Sequence, residues 1–236
     1  KKMEQKQNFQ KQLDSLLANL KIGEKPSLLL HACCGPCSSY VIEYLATFFD
    51  ITILYYNPNI YPKEEYNRRL QEIIDFLPKF SPAVRNKVCF IEDIYEPQEF
   101  YDAVNTKEDP ELANEAEKGE RCRRCYEFRL RRAFDYAKKN NFDYFCTTLS
   151  ISPFKDAEKI NQLGIQIEKE CRQKFSKDGA DAEVQNGKKI PKWLVSDFKK
   201  KGGFKRSLEI SEEFNLYRQQ YCGCVYSKTN KENYEN

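Results

Sequence analysis

Ser27-Leu28-Leu29-Leu30-His31-Ala32-Cys33-Cys34-Gly35-Pro36-Cys37 joins an unbroken apolar run to three cysteines within five residues. The run follows Pro26 and is too short for an ordinary helix, so it reads as a buried strand that ends where the thiols begin. Residues 37–49 return to helical spacing, and Ile51-Thr52-Ile53-Leu54-Tyr55-Tyr56, rich in β-branched and aromatic side chains, reads as a second strand. Together they make a βαβ unit.

The pattern repeats downstream. Asn57-Pro58-Asn59-Ile60-Tyr61-Pro62 is turn chemistry, with Pro62 suited to the first turn of a helix over 62–77. Val88-Cys89-Phe90-Ile91 reads as a third strand, 122–139 as a long helix, 144–149 as another strand and 156–174 as another helix. Strands alternating with helices predict an α/β fold with a mainly parallel sheet flanked by helices. In such sheets ligands bind beyond the carboxyl ends of the strands. That end should bring Cys33 and Cys34 together with the 147–155 loop.

Residues 4–21 place Leu13, Leu16, Leu17 and Leu20 at helical spacing, so 1–26 reads as a helical extension that packs on a single catalytic domain over 27–228. Within that domain 176–191 is rich in Gly, Lys and Asp and reads as a mobile surface insertion. Lys192-Trp193-Leu194-Val195, a Gly202-Gly203 turn, a helix over 207–219 and Tyr221-Cys222-Gly223-Cys224 follow, before a polar tail over 229–236.

Of 236 residues, 32% are charged and 14% aromatic, as in a globular protein, and the formal net charge is only +3. That excess does not by itself announce a polyanionic partner, although Arg121-Cys122-Arg123-Arg124, Arg131-Arg132 and Lys199-Lys200-Lys201 are locally basic. No stretch has the length or apolarity of a membrane span, and the Lys/Gln-rich start lacks a signal-peptide core, so a cytoplasmic protein without a membrane partner is expected. In that compartment ten cysteines point to metal binding or redox catalysis rather than a disulfide framework. No GxGxxG or GxxxxGK[ST] fingerprint is present.

Cys33, Cys34 and Cys37 with Cys122-Arg123-Arg124-Cys125 exceed the four thiolates a metal centre needs. A cluster on Cys33, Cys34, Cys122 and Cys125 leaves Cys37 spare for a second metal; a closed zinc site that staples the C-terminal half of the sheet to its first strand fits the spacing equally well. Arg121, Arg123 and Arg124 should favour the thiolate forms of the second pair. Cys222 and Cys224 are so close that a disulfide would close a strained ring, which favours a cycling dithiol/disulfide couple over zinc ligands or inert thiols. Cys89 and Cys146 are expected in the core, Cys171 has no assigned role, and His31, the single histidine, reads as a hydrogen-bonded core residue.

The run 29–38 together with Tyr56-Asn57-Pro58-Asn59-Ile60 resembles the cobalamin-independent epoxyqueuosine reductases. Arg121-Cys122-Arg123-Arg124-Cys125-Tyr126, Thr147-Thr148-Leu149-Ser150-Ile151-Ser152-Pro153-Phe154-Lys155, Arg206-Ser207 and Tyr217-Arg218-Gln219-Gln220-Tyr221-Cys222-Gly223-Cys224 follow in the family's order. The resemblance implies two-electron reduction of the epoxide on epoxyqueuosine at the tRNA wobble position, giving queuosine and water. It implies a 4Fe-4S cluster on Cys33, Cys34, Cys122 and Cys125, a redox-active disulfide between Cys222 and Cys224, and an adjacent mononuclear iron at Cys37. It further implies a fold like the adenine nucleotide alpha hydrolase (PP-loop/HUP) group, a tRNA partner carrying epoxyqueuosine and an electron-donor protein. Lys155, Arg206 and Arg218 are candidates for tRNA phosphate contacts, or else structural ion pairs. Two other classes stay open on the residues alone: a zinc-stapled RNA-binding module, and a tRNA-modifying sulfur transferase, against which the missing ATP fingerprint argues.

Overall fold

The computed structural model describes residues 7–21, 23–176, 184–185 and 188–232. After α1 (Phe9–Asn19), the sheet begins with β1 (Ser27–His31), whose apolar residues are buried on both faces as the unbroken run requires. It continues through α2 (Gly35–Leu45), β2 (Asp50–Tyr55), α3 (Lys63–Phe76), α4 (Ser81–Arg85) and β3 (Cys89–Glu92). Next come α5 (Pro97–Val104), α6 (Glu111–Asn114), the long α7 (Glu120–Lys139), β4 (Tyr144–Thr147) and α8 (Ala157–Ser176). A small antiparallel pair, β5 (Val184–Gln185) and β6 (Lys188–Lys189), precedes β7 (Lys192–Trp193), α9 (Gly203–Glu213) and α10 (Val225–Glu232).

The five-stranded sheet has the order β3-β2-β1-β4-β7, and every pairing in it is parallel. Successive side chains of a strand point to opposite faces, and the core divides accordingly. Leu28 and Leu30 pack with Val41 and Ile42 of α2, Ile73 of α3, Ile210 of α9 and Leu13 of α1. Leu29 packs on the other face with Leu130 and Ala133 of α7 and Ile160 and Leu163 of α8. The amino-terminal extension is thus part of the main core, held also by Tyr44 Oη donating to Asp14 Oδ1 at 2.7 Å.

Chain progression leaves β1 toward β2 on one side and returns to β4 on the other, so the crevice between the carboxyl ends of β1 and β4 is the sheet's topological switch point. Its walls are set locally. Thr147 Oγ1 accepts from Leu149 N at 3.2 Å, which ends β4 and starts a 3-10 turn over Thr148–Ile151. His31 closes the floor, fully buried between Thr147 Oγ1 at 2.8 Å and the Tyr56 carbonyl at 3.0 Å. It is the hydrogen-bonded core histidine the sequence suggests.

Two expectations change. Cys89 opens the edge strand β3 and is exposed, because β3 has a neighbour on one side only; Cys146, in the interior strand β4, is fully buried as expected. Cys171, given no role, lies on α8 itself and is buried in the core. The last long helix starts at the left-handed Gly202 and stops at Glu213, so 214–224 forms an irregular strap instead of the end of a helix reaching 219. Most of the presumed mobile insertion at 176–191, and the end of the tail, lie outside the described residues. No helix among the described residues is long and apolar enough to cross a membrane.

Candidate redox centre at the switch point

Directly after β1, Cys34 is extended (φ −171°, ψ 163°) and caps α2, whose first turn carries Pro36. This bend turns Cys33, Cys34 and Cys37 toward one another, with their sulfurs all within 4.8 Å, an arrangement that can hold a metal ion. Cys33 and Cys34 are buried and Cys37 is half-buried. Packed together, the thiols share charge unevenly. Contacts from Cys34 and Cys37, reinforced by Lys155 and Arg129, bring Cys33 well below the usual thiol range. Its negative sulfur in turn pushes Cys34 up to about 12 and raises Cys37 as well.

The second pair stands one turn apart on α7. The helix start is fixed by Glu115, whose carboxylate accepts from the backbone N–H groups of Glu120 and Arg121, each at 2.7 Å. Cys122 packs against the apolar cluster that contains Cys33 and Cys34, whereas Cys125 joins Cys222, Cys224, Phe100 and Val104 in the neighbouring one. The metal-competent triad among the described residues therefore includes Cys37, read as spare, and leaves Cys122 and Cys125 outside it.

The arginines flanking this pair do not act as expected. Arg121 is buried and donates to the Leu112 and Ala113 carbonyls, tying α6 to α7, while Arg123 and Arg124 are paired with Glu120 and, for Arg123, Glu127. Burial outweighs the weak pull of Arg121, and the Cys122 thiol is pushed up to about 11. The cations that do face the sulfurs are Arg129 and Lys155. Arg129 is 3% exposed, donates to the Cys125 carbonyl at 3.4 Å, and has no carboxylate partner among the described residues. Lys155, half-buried, likewise has none. Burial alone would lower both pKa values, but the sulfurs of Cys33, Cys125 and Cys222 around Arg129, and of Cys33, Cys222 and Cys37 around Lys155, raise them instead.

The strap closes the site. Buried Arg69, paired with Glu65 at 2.6 Å, donates to the carbonyls of Cys222 and Tyr221 at 3.3 and 3.4 Å, and Tyr61 N donates to Gly223 O at 2.8 Å. Gly223 has φ +117°, and a Cβ there would meet Arg69 Nη1 at 3.1 Å and Ile60 at 2.9 Å, so this turn requires glycine. The Cys222 and Cys224 sulfurs are free and 3.6 Å apart, with Ser227 Oγ 3.1 Å from Cys222 Sγ. Contact with Cys224, and then the Lys155 charge, bring the Cys222 thiol well below its usual range, while Cys224 is pushed up. Gln219 Nε2 donates to Cys34 Sγ at 3.1 Å and leaves its Oε1 buried without a partner.

A cavity of about 110 Å³ opens between these parts, lined among others by Cys37, Phe154, Lys155, Arg218, Gln219 and Cys222. Of the cations offered for phosphate contact, Lys155 lines this cavity and faces the sulfurs, and Arg218 stands exposed at its rim with Nη1 on Ser211 Oγ at 3.1 Å. Arg206 is elsewhere, in a two-pronged pair with Glu43 at 2.8 and 2.9 Å that joins α9 to α2. Arg129, Arg69 and Gln219 escaped the reading of the sequence. Only Arg129 carried a signal, lying four residues beyond Cys125 and thus on the same helix face.

The chain matches the family model described as epoxyqueuosine reductase QueH over residues 28–230. The chain belongs to the QueH family. Proteins named epoxyqueuosine reductase QueH from Streptococcus pyogenes serotype M1 and Staphylococcus epidermidis are 41% and 38% identical to it, over 86% and 94% of this chain and 71% and 85% of theirs. The Thermotoga maritima QueH is 32% identical over 85% of this chain and 90% of its own length. Membership makes the chain an oxidoreductase and sets aside the non-enzymatic zinc-stapled module. A thiolate-held metal centre of net negative charge also fits this QueH site: the donors are all sulfur, and two cations without carboxylates surround them. Burying Arg129 without an anion would cost several kcal/mol, roughly the penalty of an unpaired buried charge.

Proposed function

We propose that this QueH protein reduces the epoxide of epoxyqueuosine at the wobble position of tRNA, with a 4Fe-4S cluster on Cys33, Cys34, Cys122 and Cys125. The observation that carries the reading is one cavity lined by Cys37 of the metal-competent cysteine group, by Cys222 and by Lys155. When bound, the cluster and an adjacent iron at Cys37 would supply one-electron transfer and Lewis acidity at the epoxide oxygen. A cytoplasmic setting keeps the thiols available.

The reaction breaks both C–O bonds of the epoxide and uses two electrons and two protons to give an alkene and water. The dithiol of Cys222 and Cys224 holds that complement: on oxidation to the disulfide it releases two electrons and two protons. An electron-donor protein then restores the dithiol. Cys222 is the sulfur on the cavity wall, and Cys224 lies buried behind it. Lys155, held protonated by the sulfurs, presents a cation where negative charge develops on the departing oxygen. Gln219 fixes Cys34 and keeps an acceptor in reserve beside the cavity. Arg218 remains a rim contact for phosphate.

Incubating the reconstituted protein with tRNA bearing epoxyqueuosine and a reductant, then digesting the tRNA to nucleosides for mass analysis, tests the reading. Loss of one oxygen mass from the modified nucleoside is the expected outcome. Unchanged nucleoside under conditions in which the iron is reduced would refute it.

A further inference from the structure

Phe154 is among the most exposed large hydrophobic residues described, at 65%. Single exposed apolar residues are ordinary on a protein surface. This one differs because it borders the same cavity as Cys37, Lys155 and Cys222. It is also presented rigidly: Pro153 precedes it, Ser152 Oγ accepts from Phe154 N at 3.3 Å, and the Ser152 carbonyl accepts from Lys155 N at 3.2 Å. The turn sends Lys155 in toward the sulfurs and leaves the neighbouring ring in water.

The size of the cavity says what belongs on that ring. A buried water needs about 10–15 Å³ on the same measure, so 110 Å³ has room for on the order of ten water-sized groups. That accommodates an epoxide-bearing substituent, and it excludes a whole nucleoside. The nucleobase that carries the substituent must stay at the rim, where Phe154, Tyr221 and Arg218 stand. Proteins hold unpaired bases by stacking them on aromatic rings with cations beside the backbone.

We propose that Phe154 is the stacking platform for the nucleobase whose substituent enters the cavity, a positioning role that rests on the tRNA reading above. The ring holds the base outside while the reacting carbons lie at the sulfurs. It touches no reacting atom, so its loss should weaken substrate capture and spare the chemical step.

The test uses the full chain and an anticodon stem-loop RNA bearing epoxyqueuosine. Phe154→Ala should bind this RNA roughly 5- to 150-fold more weakly, the effect of removing one stacked ring, and raise KM with kcat little changed. Phe154→Tyr should restore binding. Phe154→Trp should show quenched emission on adding the RNA, against the constant background of buried Trp193. Wild-type affinity in Phe154→Ala, or unquenched emission in Phe154→Trp, overturns the stacking role alone. Slower reduction by the electron-donor protein with RNA affinity intact would assign the ring to that partner and equally overturn it. If the wild-type protein fails to bind the RNA, the tRNA reading and the stacking role fall together.

Discussion

Cys222→Ser is expected to stop turnover while iron and sulfide stay bound. Cys222 sits on the cavity wall, and its partner Cys224 is 3.6 Å away, close enough to form the disulfide with only local adjustment of the strap. The strap itself is held by backbone contacts to Arg69 and Tyr61, which a serine leaves intact. The substitution therefore removes the thiol and keeps the frame, and the loss should reach the limit of detection. Activity should be assayed beside iron and sulfide content, with Cys89→Ser as a control that leaves both unchanged, since Cys89 lies on the exposed edge strand. Full turnover in Cys222→Ser would remove the dithiol from the mechanism. Loss of iron in that variant would instead make Cys222 a ligand.

The second large effect is expected for Lys155→Met. A lysine that contacts tRNA phosphate would be dispensable for chemistry, and its removal would weaken RNA binding and lower the salt slope by about 1. Lys155 instead turns toward Cys33, Cys37 and Cys222. Removing one preorganised stabiliser of developing negative charge typically lowers kcat by roughly 10²- to 10³-fold. That drop is expected at saturating RNA, with RNA affinity and its salt dependence little altered. Unchanged kcat with weakened, less salt-sensitive binding would return Lys155 to the phosphate role.

The sheet was legible because its strands are short apolar runs cut off by turn residues. Leu28-Leu29-Leu30 buries both faces, and that alone marks an interior parallel strand. Cys89 was misplaced because an apolar run does not reveal whether its strand lies inside the sheet or at the edge. The helix expected to reach 219 failed for a related reason: helical spacing runs through 207–219, but the chain breaks at Phe214 and Asn215 takes a left-handed turn with φ 50°.

In the site, the cysteines were legible and their surroundings were not. Thiol spacing along the chain is visible, whereas which arginine faces a sulfur depends on helix phase and on which carboxylates compete for it. Arg123 and Arg124 adjoin the cysteines in sequence yet are taken up by Glu120, while Arg129, a turn further on, is turned inward and left to the sulfurs. Arg69 gave no signal in the sequence because its partners, Glu65 and the strap carbonyls of Tyr221 and Cys222, come together only in the fold.

On the proposed function, these thiols and the cations beside them hold an iron–sulfur cluster. Anaerobic purification and reconstitution followed by iron, zinc and acid-labile sulfide analysis of the same sample tests it most directly. A brown protein with iron and sulfide in a ratio of about five to four, the cluster's iron and sulfide lost together in Cys33→Ala, is the predicted result. A colourless protein that retains zinc and no sulfide after reconstitution would contradict it.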